Sequence, residues 1–131
     1  MLVFDALTYN EDRHFGNFGL LRDNHTGVIK APAPIFDHGL SLFSFAMPND
    51  YADLEKYAKT RFPAYGNTTF EGICGSFMTA RQIEKLRKML NFSFGRHPKL
   101  NLPEEHLASI EKHIRGRASQ LINLAKSKDK E

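Results

Sequence analysis

The amino-acid sequence predicts an α+β fold that is mostly α: a loop-rich front carrying one small β-hairpin, and a back built from helices. Three observations lead there. An apolar stripe at helical spacing runs through the last third, from Leu107 through Ile110, Ile114, Ala118, Leu121 and Ile122 to Ala125. Two short apolar runs, Phe18 to Leu21 and Val28 to Lys30, flank the turn-forming residues Asp23 to Gly27. The stretches on either side of that hairpin, 8–17 and 31–39, are dense in Asn, Asp, His, Gly and Pro.

In chain order, Leu2 to Leu7 reads as the last turns of a helix that is apolar almost all round, the signature of a segment buried by neighbours. On that reading the chain starts in the middle of a fold, and the isolated segment is a sticky surface that favours self-association. A polar loop follows, with Thr8, Asn10, Asp12, His14, Gly16 and Asn17. The hairpin comes next. Ala31 to Pro34 is stiff and extended, because each residue before a proline is pushed out of the helical region. Ile35 and Phe36 lead into a turn at Asp37, His38 and Gly39. Asp50 to Lys59 has helical spacing, with Tyr51, Leu54, Tyr57 and Ala58 on one face. Pro63, Gly66, Gly72 and Gly75 mark loops. Thr79 and Gln82 form a capping box, and Ile83, Leu86 and Leu90 continue a helix. Residues 91–101 connect, with Gly95 and Pro98. Pro103 suits a helix's first position, and the helix it starts runs for roughly 20 residues or more.

The chain has 131 residues, enough for one domain, assigned to 1–126 with a flexible tail at 127–131. A chain of this size buries about two thirds of its unfolded surface. It is 41% hydrophobic and 25% charged, as soluble globular proteins are, and its eleven Phe with no Trp point to a Phe-rich core. The formal net charge is +3. The basic residues near the C-terminus, Lys112, His113, Arg115, Arg117, Lys126, Lys128 and Lys130, read as a solvated helix face and tail, so nucleic acid is an unlikely partner. Cys74 is the only cysteine, which excludes an internal disulfide and suits a small buried side chain. No apolar stretch reaches the length of a membrane span, and the first residues lack the basic start of a signal peptide. The expected compartment is the cytoplasm.

Two acidic loops carry the chemistry. The first holds Asn10, Asp12, His14 and Asn17; the second holds Asp37 before His38 and Gly39. A hairpin between them is of a size to fold them together. Phosphoryl transfer needs such a set: Mg²⁺ takes hard oxygen ligands and phosphate oxygens, and a further carboxylate orients the acceptor hydroxyl. Kinase catalytic loops place that Asp five residues before a metal-binding Asn, the separation of Asp12 and Asn17. His14, His25 and His38 match no tight zinc spacing and have no paired cysteine. His25 reads as a turn residue, His38 as bonded to nearby backbone, and Ser41 and Ser44 as ordinary loop serines.

These motifs resemble the HipA-like serine/threonine kinases, bacterial relatives of the toxin kinase HipA within the protein-kinase-like superfamily. Residues 4–19 and 33–42 carry the resemblance, through a catalytic loop of the form Asn-x-Asp-x-His-x-x-Asn and an Ala-Pro-Ile-Phe-Asp segment. The resemblance implies the C-lobe of a kinase, a hairpin bearing the active-site loops on a helical bundle, without the N-lobe, hinge strand and phosphate-binding lysine. It implies ATP and Mg²⁺ as cofactors, Asp12 as catalytic base with His14 in support, Asn10, His14, Asn17 and Asp37 at the nucleotide, and Asn17 and Asp37 on the metal. Arg13 has two partners open to it, a carboxylate or a phosphate. The implied function is transfer of phosphate from ATP to a protein Ser or Thr, completed by a separate N-lobe polypeptide or set in a toxin–antitoxin pair with an antitoxin partner. The alternative is a non-catalytic remnant or interaction module that keeps the motifs.

Overall fold

The structure is a computed structural model that describes residues 1–64 and 67–128. Among the described residues the fold has five α-helices and one hairpin: α1 (Leu2–Thr8), β1 (Leu20–Arg22), β2 (Ile29–Pro32), α2 (Leu54–Ala58), α3 (Phe70–Gly75), α4 (Ala80–Lys88) and α5 (Glu104–Lys128). Helix predominates and the sheet has two antiparallel strands, so the α+β, mostly α expectation holds.

The back is organised by α5. Its stripe is buried throughout, with Ala118 and Leu121 wholly enclosed. Each fully buried Leu or Ile there contributes about 1.5–3 kcal/mol of transfer free energy. Val3, Ala6 and Leu7 of α1, Phe70 and Cys74 of α3, Leu54 and Ala58 of α2, and Leu86 of α4 complete one core with Phe43. Helix α5 contacts each of the other four. The capping box of α4 forms as expected, with Thr79 N donating to Gln82 Oε1 at 2.6 Å. No described helix is long and apolar enough to cross a membrane.

Several expectations are corrected. Gly72 and Gly75 lie within α3, because Thr69 caps its start by accepting from Gly72 N at 3.0 Å, and Phe70 and Cys74 anchor it in the core. Gly66 lies outside the described residues. The helix expected over 50–59 is a 3₁₀ stretch, Pro48–Asp53, followed by α2, whose start Asp53 caps. Helix α5 runs through Lys128, into the expected tail, whose residues 129–131 lie outside the described residues. Arg117 and His113 leave the expected solvated face: both are buried, since the α5 stripe widens there to meet α1.

The front is different in kind. Leu20 pairs with Pro32, Leu21 with Ala31 and Arg22 with Ile29, with an irregularity between Leu21 and Arg22. Every strand residue is exposed, including Leu20, Leu21 and Ile29. The expected sticky surface therefore moves. Most of α1 is covered, with Phe4 its exposed aromatic, while Phe15, Phe18, Leu20, Leu21, Val28, Ile29, Ile35 and Phe36 lie open along the hairpin and its flanks.

Candidate functional site

The site begins with an acid in an apolar helix. Asp5 points into the protein at 3% exposure, and the turn that follows it is fixed by main-chain bonds. Asn10 N donates to Asp5 O at 3.0 Å, and Tyr9 closes α1 in the left-handed conformation at φ 52°. That conformation normally selects Gly or Asn. Tyr9 holds it because its ring is buried against Phe43, Phe70 and His113, with the Arg117 guanidinium 4.5 Å from its centroid. Burial raises the Tyr9 phenol above its ordinary pKa. Arg117 in turn donates to Ala6 O at 2.9 Å and pairs with Glu71. The abrupt end of α1 delivers the chain straight into the first acidic loop.

Within that loop Asn10 is a brace. It is fully buried; its Oδ1 accepts from Asp12 N at 3.1 Å and its Nδ2 donates to Asp5 Oδ1 at 3.2 Å. Both ends of the amide bond within the protein, which makes Asn10 a support of the loop. Asp12 presents a half-exposed carboxylate. His14 Nδ1 accepts from Gly16 N at 3.0 Å, so the proton of the neutral ring sits on Nε2, 3.9 Å from Asp12 Oδ2. A Cβ at Gly16 would come within 2.9 Å of His14 Cε1, so a larger residue there would displace the ring. Asn17 is buried, and its Nδ2 donates to Asp12 O at 2.8 Å, so Oδ1 is the accepting end of the amide.

The second loop meets the first on Arg13. This side chain is 1% exposed and pairs with the Asp5 carboxylate, Nε to Oδ2 and Nη2 to Oδ1, each at 3.0 Å. Nη1 donates to Asn17 O at 2.6 Å and to Phe36 O at 2.7 Å. Nη2 also reaches His38 Nδ1 at 3.1 Å, so His38 bonds to a side chain rather than to backbone. Of the two partners open to Arg13, the carboxylate is the one it has. Asp37 lies between Phe36 and His38, exposed and at φ 56°, a left-handed conformation that Asp tolerates better than most residues. Main-chain bonds from Glu11 N to Leu40 O and from Leu42 N to Thr8 O add two further ties between the loops.

Asp12, His14, Asn17 and Asp37 are thus carried on two cross-linked loops. Asn17 Oδ1 and the Asp37 carboxylate are hard oxygens of the kind Mg²⁺ takes, and the donor set fits that ion. Among the described residues no group of three or more His, Cys, Asp or Glu is gathered for a metal. The protein's share of a magnesium shell would be these two side chains, completed by phosphate and water. Asp5 and the Glu11–Arg61 pair (3.4 Å) are site supports not anticipated from sequence. A lone acid on the buried side of an apolar helix was the available signal for Asp5. His25 is a turn residue as expected, its N bonded to Asp23 Oδ1, and Cys74 is buried. No family model, curated protein or solved structure matches the chain.

Proposed function

We propose that the chain carries the catalytic-loop and metal-loop half of a Mg²⁺-dependent phosphotransferase similar to the HipA-like kinases, acting on a protein Ser or Thr with ATP as donor. The observation that supports this reading is the single guanidinium of Arg13, bonded to the carbonyls of Asn17 and Phe36, which ties the loop of Asp12 and Asn17 to the loop of Asp37. In the proposed reaction Asp12 orients the acceptor hydroxyl and accepts its proton. The hydroxyl oxygen bonds to the γ-phosphorus as the bond to the bridging oxygen breaks, and ADP leaves. Bound Mg²⁺ would neutralise phosphate charge; Asn17 and Asp37 would hold it. The Nε2–H of His14 lies on the Asp12 side, where it can donate to a phosphate oxygen.

The exposed apolar hairpin supports a cleft with a second wall from further polypeptide, since two strands alone are marginal in water. The same surface favours the other reading, an interaction module that no longer transfers phosphate. Calorimetric titration of ATP with and without Mg²⁺, on the wild-type chain and Asp37→Asn, tests the first. Metal-dependent binding lost in Asp37→Asn is the expected result. Binding that ignores both metal and substitution would sink it. Silence until an N-lobe polypeptide is added would mark a split enzyme, and continued silence an interaction module.

A further inference from the structure

We propose that Arg13 is the positioning residue that sets the separation of Asn17 and Asp37, so that both reach one cation; the cation half of this rests on the magnesium reading above. All three guanidinium nitrogens are engaged. Asp5 holds one edge of the plane, and α1 holds Asp5 in the core. The other donors take the carbonyl of Asn17 and the residues on both sides of Asp37, Phe36 through its carbonyl and His38 through Nδ1. Among the described residues no hydrogen bond runs directly from Asn17 to residues 36–38, so Arg13 is the hydrogen-bonded link between the two. The left-handed turn at Asp37 is clamped at both neighbours, which is how an exposed residue keeps an uncommon conformation. A planar fork is needed to meet five acceptor atoms on four residues at once; a lysine ammonium cannot do so. Guanidinium has no lone pair, so His38 Nδ1 must accept and Nε2 must carry the proton, a signature that NMR reads.

The test uses the full chain, Arg13→Lys and His38→Phe, with Mn²⁺ as the probe. In the wild type we expect the Nε2–H tautomer at His38, nuclear Overhauser contacts between residues 17–18 and 36–38, and broadening of Asn17 and Asp37 amides at the same Mn²⁺ concentrations. Arg13→Lys is expected to keep the α5 core contacts, lose the 17–18 to 36–38 contacts, and bind Mn²⁺ at least tenfold more weakly. His38→Phe, which keeps the Asp5 pair and both carbonyl bonds, is expected to lose severalfold. A folded Arg13→Lys chain that retains the inter-loop contacts overturns the positioning role. If Arg13→Lys does not fold, His38→Phe decides, and unchanged Mn²⁺ affinity there overturns it. A wild type with the contacts but no broadening at either residue overturns the magnesium reading, and the cation half of the proposal with it, while the contacts still judge Arg13.

Discussion

The side-chain amide of Asn17 donates to the main-chain carbonyl of Asp12, 2.8 Å away, and so ties the two ends of the first loop to each other. Asn17→Asp would put an oxygen where the NH₂ now donates, leaving Asp12 O facing a second acceptor in a part-buried place. The loss expected is about 1–3 kcal/mol of stability, the cost of an unpaired buried group. On the proposed reading metal-dependent nucleotide binding weakens too, although the substitution adds a carboxylate. Thermal melts and Mg²⁺ titrations of the variant check both. Tighter metal binding in a stable Asn17→Asp chain would show that charge, not amide orientation, governs this position.

Asp5 and Arg13 are a buried ion pair, 3.0 Å apart, with side chains 5% and 1% exposed. Removing one partner from such a pair strands the other charge, typically at about 3–5 kcal/mol. Asp5→Ala is therefore expected to lose that much in a denaturant melt. Asp5→Asn, which keeps an acceptor for the guanidinium, should lose less. Equal losses would mean that the space Asp5 fills matters more than its charge.

Leu42 and Phe43 follow the second loop at φ 53° and 62°, two consecutive left-handed residues with bulky side chains. Phe43 is 2% exposed and packs on Tyr9, Tyr57 and His113, which offsets the strain. Phe43→Ala should cost about 3–5 kcal/mol. Phe43→Gly loses the same ring but relieves the backbone, so it should be no less stable than Phe43→Ala, the reverse of the order at an ordinary loop site. Phe45→Ala, at an exposed ring, should stay within about 0.5 kcal/mol. Comparing melts of the three variants settles the order.

The helical back was legible because burial there follows one period. Leu107 to Ala125 repeat at helical spacing, and each of those positions is in the core. The hairpin was legible from turn chemistry, displaced by one or two residues because short exposed strands have no alternation to set their ends. Helix α3 was not legible: it is six residues long with two glycines, and tertiary packing of Phe70 and Cys74 overrides its propensity. At the site, local spacing marked Asp12, His14, Asn17 and Asp37, while the brace was hidden. Asp5 and Arg13 lie eight positions apart on different elements, and Arg13 and Phe36 are twenty-three apart, distances over which residue type alone names no partner.

His113 links pH to stability. It is buried at 4% exposure between Tyr9 and Phe43, and burial lowers its pKa below the ordinary 6.5. Glu55 Oε1 lies 2.9 Å from Nδ1, outside hydrogen-bond alignment, and favours the charged ring; Arg117, one turn along α5, opposes it. The folded state thus holds a neutral imidazole while the unfolded chain takes up a proton near pH 6.5. The full contribution is present above that pH and is lost as pH falls through 6.5 toward the depressed folded value. Glu71, held low by its Arg117 hydrogen bond against the opposing effect of burial, and Glu104 and Glu111, held low by Arg96, act only below the ordinary carboxylate range. Urea midpoints should therefore drop between pH 7 and pH 5.5 in the wild type, and the drop should flatten in His113→Phe. The slope with pH, not the absolute midpoint, is the readout, because the substitution also changes packing. An equal slope in the two chains would place the proton uptake at another group.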